Sequence, residues 1–355
     1  VSYRIAAIIG IGVLASCSQP DLDRESAAIY HPAALERVAR LSPVTPLFDT
    51  QRVLASNGYV YALGSGARFL HVFEQATGRE IASFGRSSLA AVGAPDFMPS
   101  PVWLDADPSD GSVWIYDAKR RNLVRLTLAV GDAAATISRA DSIHLESPVF
   151  VWTPAWAGDR HIVATGLFPN GRIGAFDSTG KLQTVYGSVP VDGDSATPHV
   201  AQQAFRGRIA TNSARTLFAV ARRHADAIEV WDHREKLRDI VGPIGFAPRY
   251  HVAKRGQGFD VNFRADTRYG YVDVAASGDR IFGLFSGREM GKAGTRASLG
   301  RMVNVFDWNG NLKMSLQLDC DAVGIAVSDD GRTLYAACTE AKRPDWIAAY
   351  SLDAE

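Results

Sequence analysis

Tyr271-Val-Asp-Val-Ala-Ala276, Arg280-Ile-Phe-Gly-Leu-Phe285, Met302-Val-Asn-Val-Phe306 and Asn311-Leu-Lys-Met-Ser-Leu-Gln-Leu318 are four strand-like runs within residues 271–318. Gly278-Asp279 separates the first pair, Ser286-Gly287 ends the second run, and Asp307-Trp-Asn-Gly310 separates the last pair. Apolar or alternating runs bounded by Gly, Asp and Asn read as strands, and Asn309-Gly310 is a strong hairpin signal. The stretch is therefore one four-stranded antiparallel unit, with a long insert between its second and third strands.

The unit repeats. First-hairpin turns fall at Asn57-Gly58, Asp110-Gly111, Gly158-Asp159, Asn212-Ser213, Gly278-Asp279 and Asp330-Gly331, spaced by 53, 48, 54, 66 and 52 residues between their second members. Each precedes an apolar, aromatic-rich run such as Val113-Trp-Ile-Tyr116. Third strands recur at 69–73, 123–128, 172–176, 228–231, 302–306 and 346–350. That period belongs to propeller blades rather than to shorter solenoid repeats. The expected fold is all-β, a six-bladed β-propeller with four-stranded antiparallel blades. After the sixth third strand only Ser351–Glu355 remains, too short for a fourth, and an open ring would expose a long sheet edge. The missing strand is expected from Glu36–Leu41, closing the ring from the N-terminal side.

At 355 residues and 46% hydrophobic, the chain can bury a large core without metals or crosslinks. A net charge of zero leaves no electrostatic footprint for nucleic acid. Arg4 precedes the apolar Ile5–Leu14, which is too short to span a bilayer and fits the core of a secretory signal. It ends in Leu14-Ala15-Ser16-Cys17, which resembles the bacterial lipobox. The resemblance implies cleavage before Cys17, lipidation of that residue and, with Ser18 following, an outer-membrane address facing the periplasm. The expected organisation is a signal peptide over 1–16, an anchor and tether over 17–35, and a propeller domain over 36–355.

Phe282-Gly-Leu-Phe-Ser-Gly-Arg288, Val303-Asn-Val-Phe-Asp-Trp-Asn-Gly-Asn-Leu312 and Gly324-Ile-Ala-Val-Ser-Asp-Asp-Gly-Arg-Thr-Leu-Tyr-Ala-Ala337 resemble the closing blades of the TolB-like six-bladed propeller lipoproteins. The resemblance implies a fold and a lipid anchor, not an activity. After the first blade the family often shows a Gly-Pro-Gly-Glu loop, where this chain has Ala91-Val-Gly-Ala-Pro-Asp-Phe97. The lone Trp231-Asp232 does not make a WD40 repeat, because the spacing is too long and the partner Gly-His is missing.

Chemical motifs are scarce. The chain has no Gly-x-Ser-x-Gly, His-Glu-x-x-His, Walker loop or Cys-x-x-Cys, and its eight histidines, His144 and His224 among them, are scattered singly. Asp105-Ala-Asp-Pro-Ser-Asp-Gly111 alternates carboxylates, but the sixth and twelfth positions of a calcium loop would be Asp110 and Tyr116, so it reads as a turn. Cys320 and Cys338 flank the hairpin at 328–331 at nearly matching heights, and outside the cytoplasm such a pair is expected to form a disulfide.

Strand parity places function. The long segments 85–100, 187–205, 242–270 and 287–301 all fall on the top face, and long loops in compact domains are commonly functional. Residues 242–301 add a basic excess interleaved with tyrosines. The leading expectation is a lipid-anchored, extracytoplasmic, non-catalytic monomer. It would bind an anionic small molecule or acidic protein surface through Arg208, Arg249, His251 and Arg288, with Asp273 beside them and Tyr271 as a stacking wall. No cofactor is expected. The rival is a metal-dependent lactonase, esterase or lyase with calcium in the central channel, for which Asp273, Asp321, Asp105 and Asn212 are the only candidate ligands.

Overall fold

The computed structural model describes residues 32–107, 110–131, 135–158, 161–189, 198–256 and 258–352. The signal, lipobox and Cys17 expectations therefore lie outside the described residues. Contacts divide the chain into residues 1–30 and His31–Glu355, and the following concerns the second unit.

Strands dominate, in propeller-like blades of four-stranded antiparallel sheets. Blade one holds Leu47–Ser56, Tyr59–Gly66, Leu70–Glu74 and Glu80–Phe84. Blade two holds Pro101–Ala106, Val113–Asp117, Asn122–Val130 and Ala135–His144. Blade three holds Val151–Ala157, His161–Gly166, Ile173–Phe176 and Leu182–Tyr186. Blade four holds Gly207–Thr211, Phe218–Arg222, Ala227–Trp231 and Lys236–Val241. The segments expected as blades five and six form one eight-stranded sheet. The reason is covalent: the strand beginning at Leu312 does not stop at Leu318 but runs unbroken to Val327, serving Gly300–Asp307 with its first half and Thr333–Cys338 with its second.

Arg37–Leu41 pairs antiparallel with Trp346–Ser351, Arg40 opposite Ala348. The four exposed residues of this strand, ahead of buried Leu41, give it the wet character of an outer strand. Ala33–Ala34 runs parallel to Leu316–Gln317, and Leu35 donates its N–H to the Gln317 carbonyl at 3.1 Å and packs on the core.

Burial follows position within a blade. Val113–Asp117 and Ala227–Trp231 are buried along their whole length because neighbouring blades cover both faces, and such strands read as continuous apolar runs. Aromatic side chains fill the gaps between blades: Trp114 of blade two meets Trp156 of blade three edge to face at 5.3 Å. Each such side chain contributes roughly 1.5–3 kcal/mol of burial. Asn57 and Gly58 take φ of 52° and 78°, the left-handed pair that a two-residue hairpin requires. The Asn309-Gly310 turn is different. Only Gly310 is left-handed, at φ 93°, and Asp307 closes the loop by accepting the Asn311 N–H at 2.8 Å.

The first strand of each blade touches the next. Leu47–Ser56 meets Pro101–Ala106, which meets Val151–Ala157, then Gly207–Thr211, Tyr271–Ser277 and Leu312–Val327, and the last touches Leu47–Ser56. Of the top segments expected as loops, 242–270 contains a two-stranded hairpin, Tyr250–Arg255 with Gly258–Phe263. Short helical turns occupy Pro198–Ala201, Gln202–Phe205, Met290–Ala293 and Gly294–Ser298.

Candidate functional site at the channel mouth

The first strands converge on a buried ion pair. Asp273, fully buried, accepts the Arg52 Nη1 proton at 2.7 Å on Oδ1 and the Ile325 N–H at 2.9 Å on Oδ2. Arg208 Nη1 stands 3.3 Å from the same Oδ1 and donates to the Gln51 carbonyl at 2.9 Å. Both guanidiniums lie over the Trp103 ring, at 4.1 and 5.5 Å from its centre. Arg52, Trp103, Arg208 and Asp273 thus knit blades one, two and four to the eight-stranded sheet.

This crosspiece separates two groups of cavities. On the face of the first hairpin turns lies a cavity of about 640 Å³, bordered by Asn57, Asp105, Asp110, Asn212 and Asp329. Its acids are engaged: Asp105 accepts the Trp156 N–H at 2.7 Å and pairs with Arg215 at 3.2 Å, and Asp329 accepts the Asn57 N–H at 2.8 Å. On the opposite, top face lie cavities of about 120 and 300 Å³, which share Trp152, Arg206 and Arg223.

The sequence-derived site does not assemble as expected. Arg208 alone among its arginines reaches the channel. Arg249 pairs with Asp266 on an exposed surface, and His251 is exposed on the added hairpin. Arg288 donates to Asp321 Oδ1 at 2.6 Å and to the carbonyls of Arg296 and Leu299, so its donors are engaged by Asp321 of the long strand and by its own insert. Tyr271 is only 2% exposed and donates its hydroxyl proton to Asp226 at 3.0 Å, its ring set edge-on to Phe285. It is a packing residue rather than a stacking wall. Asp273 is occupied as described. The basic excess of 242–301 is largely paired with nearby acids, as in Arg255–Asp260, Lys292–Glu289, Arg268–Glu289 across the two segments, and Arg296 and Arg301 with Asp321. Counting charges along the chain misses this because folded loops return each acid to a nearby base.

What the top face does present is Arg206 and Arg223. Both are half-buried, and among the described residues neither has a carboxylate partner. Arg206 stacks on Trp152 at 4.8 Å and Arg223 on Tyr269 at 5.3 Å. A guanidinium held by its flat face keeps its in-plane N–H donors free. Burial, then the charges of Arg223 and Arg208, push Arg206 down to about 10, which leaves it cationic at neutral pH. Arg222, the last residue of the second strand of blade four, pairs instead with Glu229 and Asp239, while Arg223 stands in the turn that follows. Arg206 directly precedes the first strand of blade four, next to Arg208, whereas Arg223, in Arg222-Arg223-His224, has no motif around it that marks it in the sequence.

A calcium reading of the channel does not fit these residues. Its central carboxylate faces two guanidiniums, and among the described residues no three His, Cys, Asp or Glu side chains group as metal ligands. Asp321 is held by Arg288, Arg296 and Arg301.

Residues 65–330, more than half the chain, match the TolB-like 6-blade propeller-like family. The chain belongs to this family. TolB-like proteins are typically bacterial and periplasmic or envelope-associated. No curated protein matches the chain. This TolB-like propeller is similar in fold to two solved structures. One, titled "Structure of U3-55K", has 9% identity, a TM-score of 0.52, and coverage of 91% of this chain and 100% of that one. The other, titled "Crystal structure of RRP9 WD40 repeats", has 8% identity, a TM-score of 0.52, and coverage of 90% and 99%. At such identities the likeness concerns fold alone.

Proposed function

We propose that this protein is a lipid-anchored, extracytoplasmic, non-catalytic six-bladed propeller that binds an anionic ligand or acidic partner through its top face. The observation that carries the reading is the pair Arg206 and Arg223: half-buried cations fixed by aromatic faces and lacking a carboxylate. Half-burying two like charges side by side costs free energy that an incoming anion would recover. Anchoring at Cys17 rests on the lipobox resemblance and the family's envelope setting.

A ring closed from the N-terminal side belongs to the same reading. It is supported by the Arg37–Leu41 pairing and by bonds from the last blade to the first: Asp345 Oδ2 accepts both the Thr50 N–H and its hydroxyl at 2.8 Å. A rigid ring keeps the arginines of blade four at fixed separation.

The test is a titration of the purified propeller with inorganic and organic oxyanions and an acidic peptide, beside neutral analogues. Arg206→Ala with Arg223→Ala should weaken anion binding by roughly ten- to a hundredfold, the worth of one or two charged hydrogen bonds. Arg120→Ala, in a short loop of blade two, should leave it unchanged. Equal binding by these variants, or binding of neutral compounds only, overturns the proposal.

A further inference from the structure

The top-face cavity of about 300 Å³ is bordered by Trp152, Arg206, Arg223, His224, Phe263 and Tyr269. That volume suits a small molecule rather than a protein loop. His224 is only 4% exposed, and its Nδ1 has no hydrogen-bond partner among the described residues. An unpartnered buried imidazole nitrogen is costly, and here it borders a cavity beside two free guanidiniums. The ring is pinned between Phe263, at 4.1 Å, and Tyr269, at 4.9 Å.

We propose, building on the top-face reading, that Arg206, Arg223 and His224 form one subsite for the oxyanion of a small organic acid, and that the ligand enters together with a proton. The remaining wall of Trp152, Phe263, Tyr269, Leu167 and Met290 would hold an apolar or planar body.

The proton follows from electrostatics. The groups facing His224 are its neighbour Arg223, Arg206 at the start of the adjacent strand, Tyr269 from the segment entering the next blade, and Phe263 from the added hairpin. Burial, then Arg223, then Arg206, hold the imidazole down at about 3, so it is neutral in the empty site. An oxyanion between the arginines cancels their repulsion and gives a charged imidazolium an acceptor, which moves His224 back toward its ordinary value of 6.5. A group whose pKa rises on binding takes up a proton, so affinity must grow as pH falls below the bound-state value. Full restoration to 6.5 corresponds to about tenfold tighter binding at pH 5.5 than at pH 7.5.

The probe is benzenesulfonate, which stays ionised throughout this range, with benzenesulfonamide as the neutral counterpart. Calorimetry of the whole propeller in two buffers of different ionisation enthalpy should show proton uptake with benzenesulfonate, rising as pH falls from 7.5 to 5.5. His224→Gln should abolish the pH dependence. Benzenesulfonate binding that depends on Arg206 and Arg223 but is flat with pH overturns this subsite and leaves the top-face reading standing. No binding of any oxyanion, or binding indifferent to both arginines, overturns both. The wild-type buffer comparison decides even if the His224 variant does not fold.

Discussion

Arg52 Nη1 and Asp273 Oδ1 meet 2.7 Å apart although they are 221 positions apart in the sequence. Both are buried, so each offsets a desolvation cost that the other would otherwise carry alone. Asp273→Ala strands Arg52 and the Ile325 N–H, and is expected to cost about 3–5 kcal/mol in urea unfolding. Replacing both partners by apolar residues should cost clearly less than the sum of the single changes. Additive losses would mean that the two side chains do not act as a pair.

Asp321 gives the pH dependence. Burial raises its pKa, but hydrogen bonds from Arg288, Arg296 and Arg301 outweigh this and bring it to about 2. A depressed carboxylate contributes stability that is present above the unfolded value of about 3.9 and is lost as pH falls toward 2. Asp321→Asn should therefore lower stability at pH 7 by roughly 2 kcal/mol and flatten the acid limb between about pH 4 and 2. Denaturant midpoints at pH 7, 4 and 2.5 measure both effects.

The N-terminal strands should matter to the whole domain. Removing residues up to 42 takes away Ala33–Ala34 and Arg37–Leu41, and exposes the edge of Trp346–Ser351. Removing residues up to 30 touches none of these pairings. The longer truncation is expected to melt several degrees lower, and identical melting temperatures would refute the structural role of the strand.

Cys320 and Cys338 are joined by a disulfide that closes an 18-residue separation. Both cysteines are buried, so a reductant should act slowly on the native protein and quickly in denaturant. Once reduced, the domain should lose about 3 kcal/mol, the value for a loop of this size. Alkylation of both cysteines in denatured, unreduced protein would exclude the bond.

Blade architecture was legible because it rests on local chemistry. Turn residues such as Asn57-Gly58 carry their own conformation, and apolar runs such as Val113–Tyr116 must lie between covering layers wherever the chain goes. The outer strand at 37–41 was legible by strand arithmetic. Less was legible where one local signal permits two outcomes. Nothing around Leu318 says that the strand continues to Val327, and the alternation in Tyr250–Arg255 and Phe259–Phe263 was hidden by reading the whole segment as a loop.

The site divides in the same way. The sequence by itself determined that the blade-forming runs, the paired cysteines and an arginine-rich top face would occur, because period, spacing and residue type are properties of the chain. Tertiary structure decided which arginines are free. Arg249 and Arg288 are consumed by Asp266 and Asp321, whereas Arg206 and Arg223 rest on Trp152 and Tyr269 and keep their donors available. A guanidinium's availability depends on what lies within a few ångströms of it in space, and strands far apart in the chain set those neighbours.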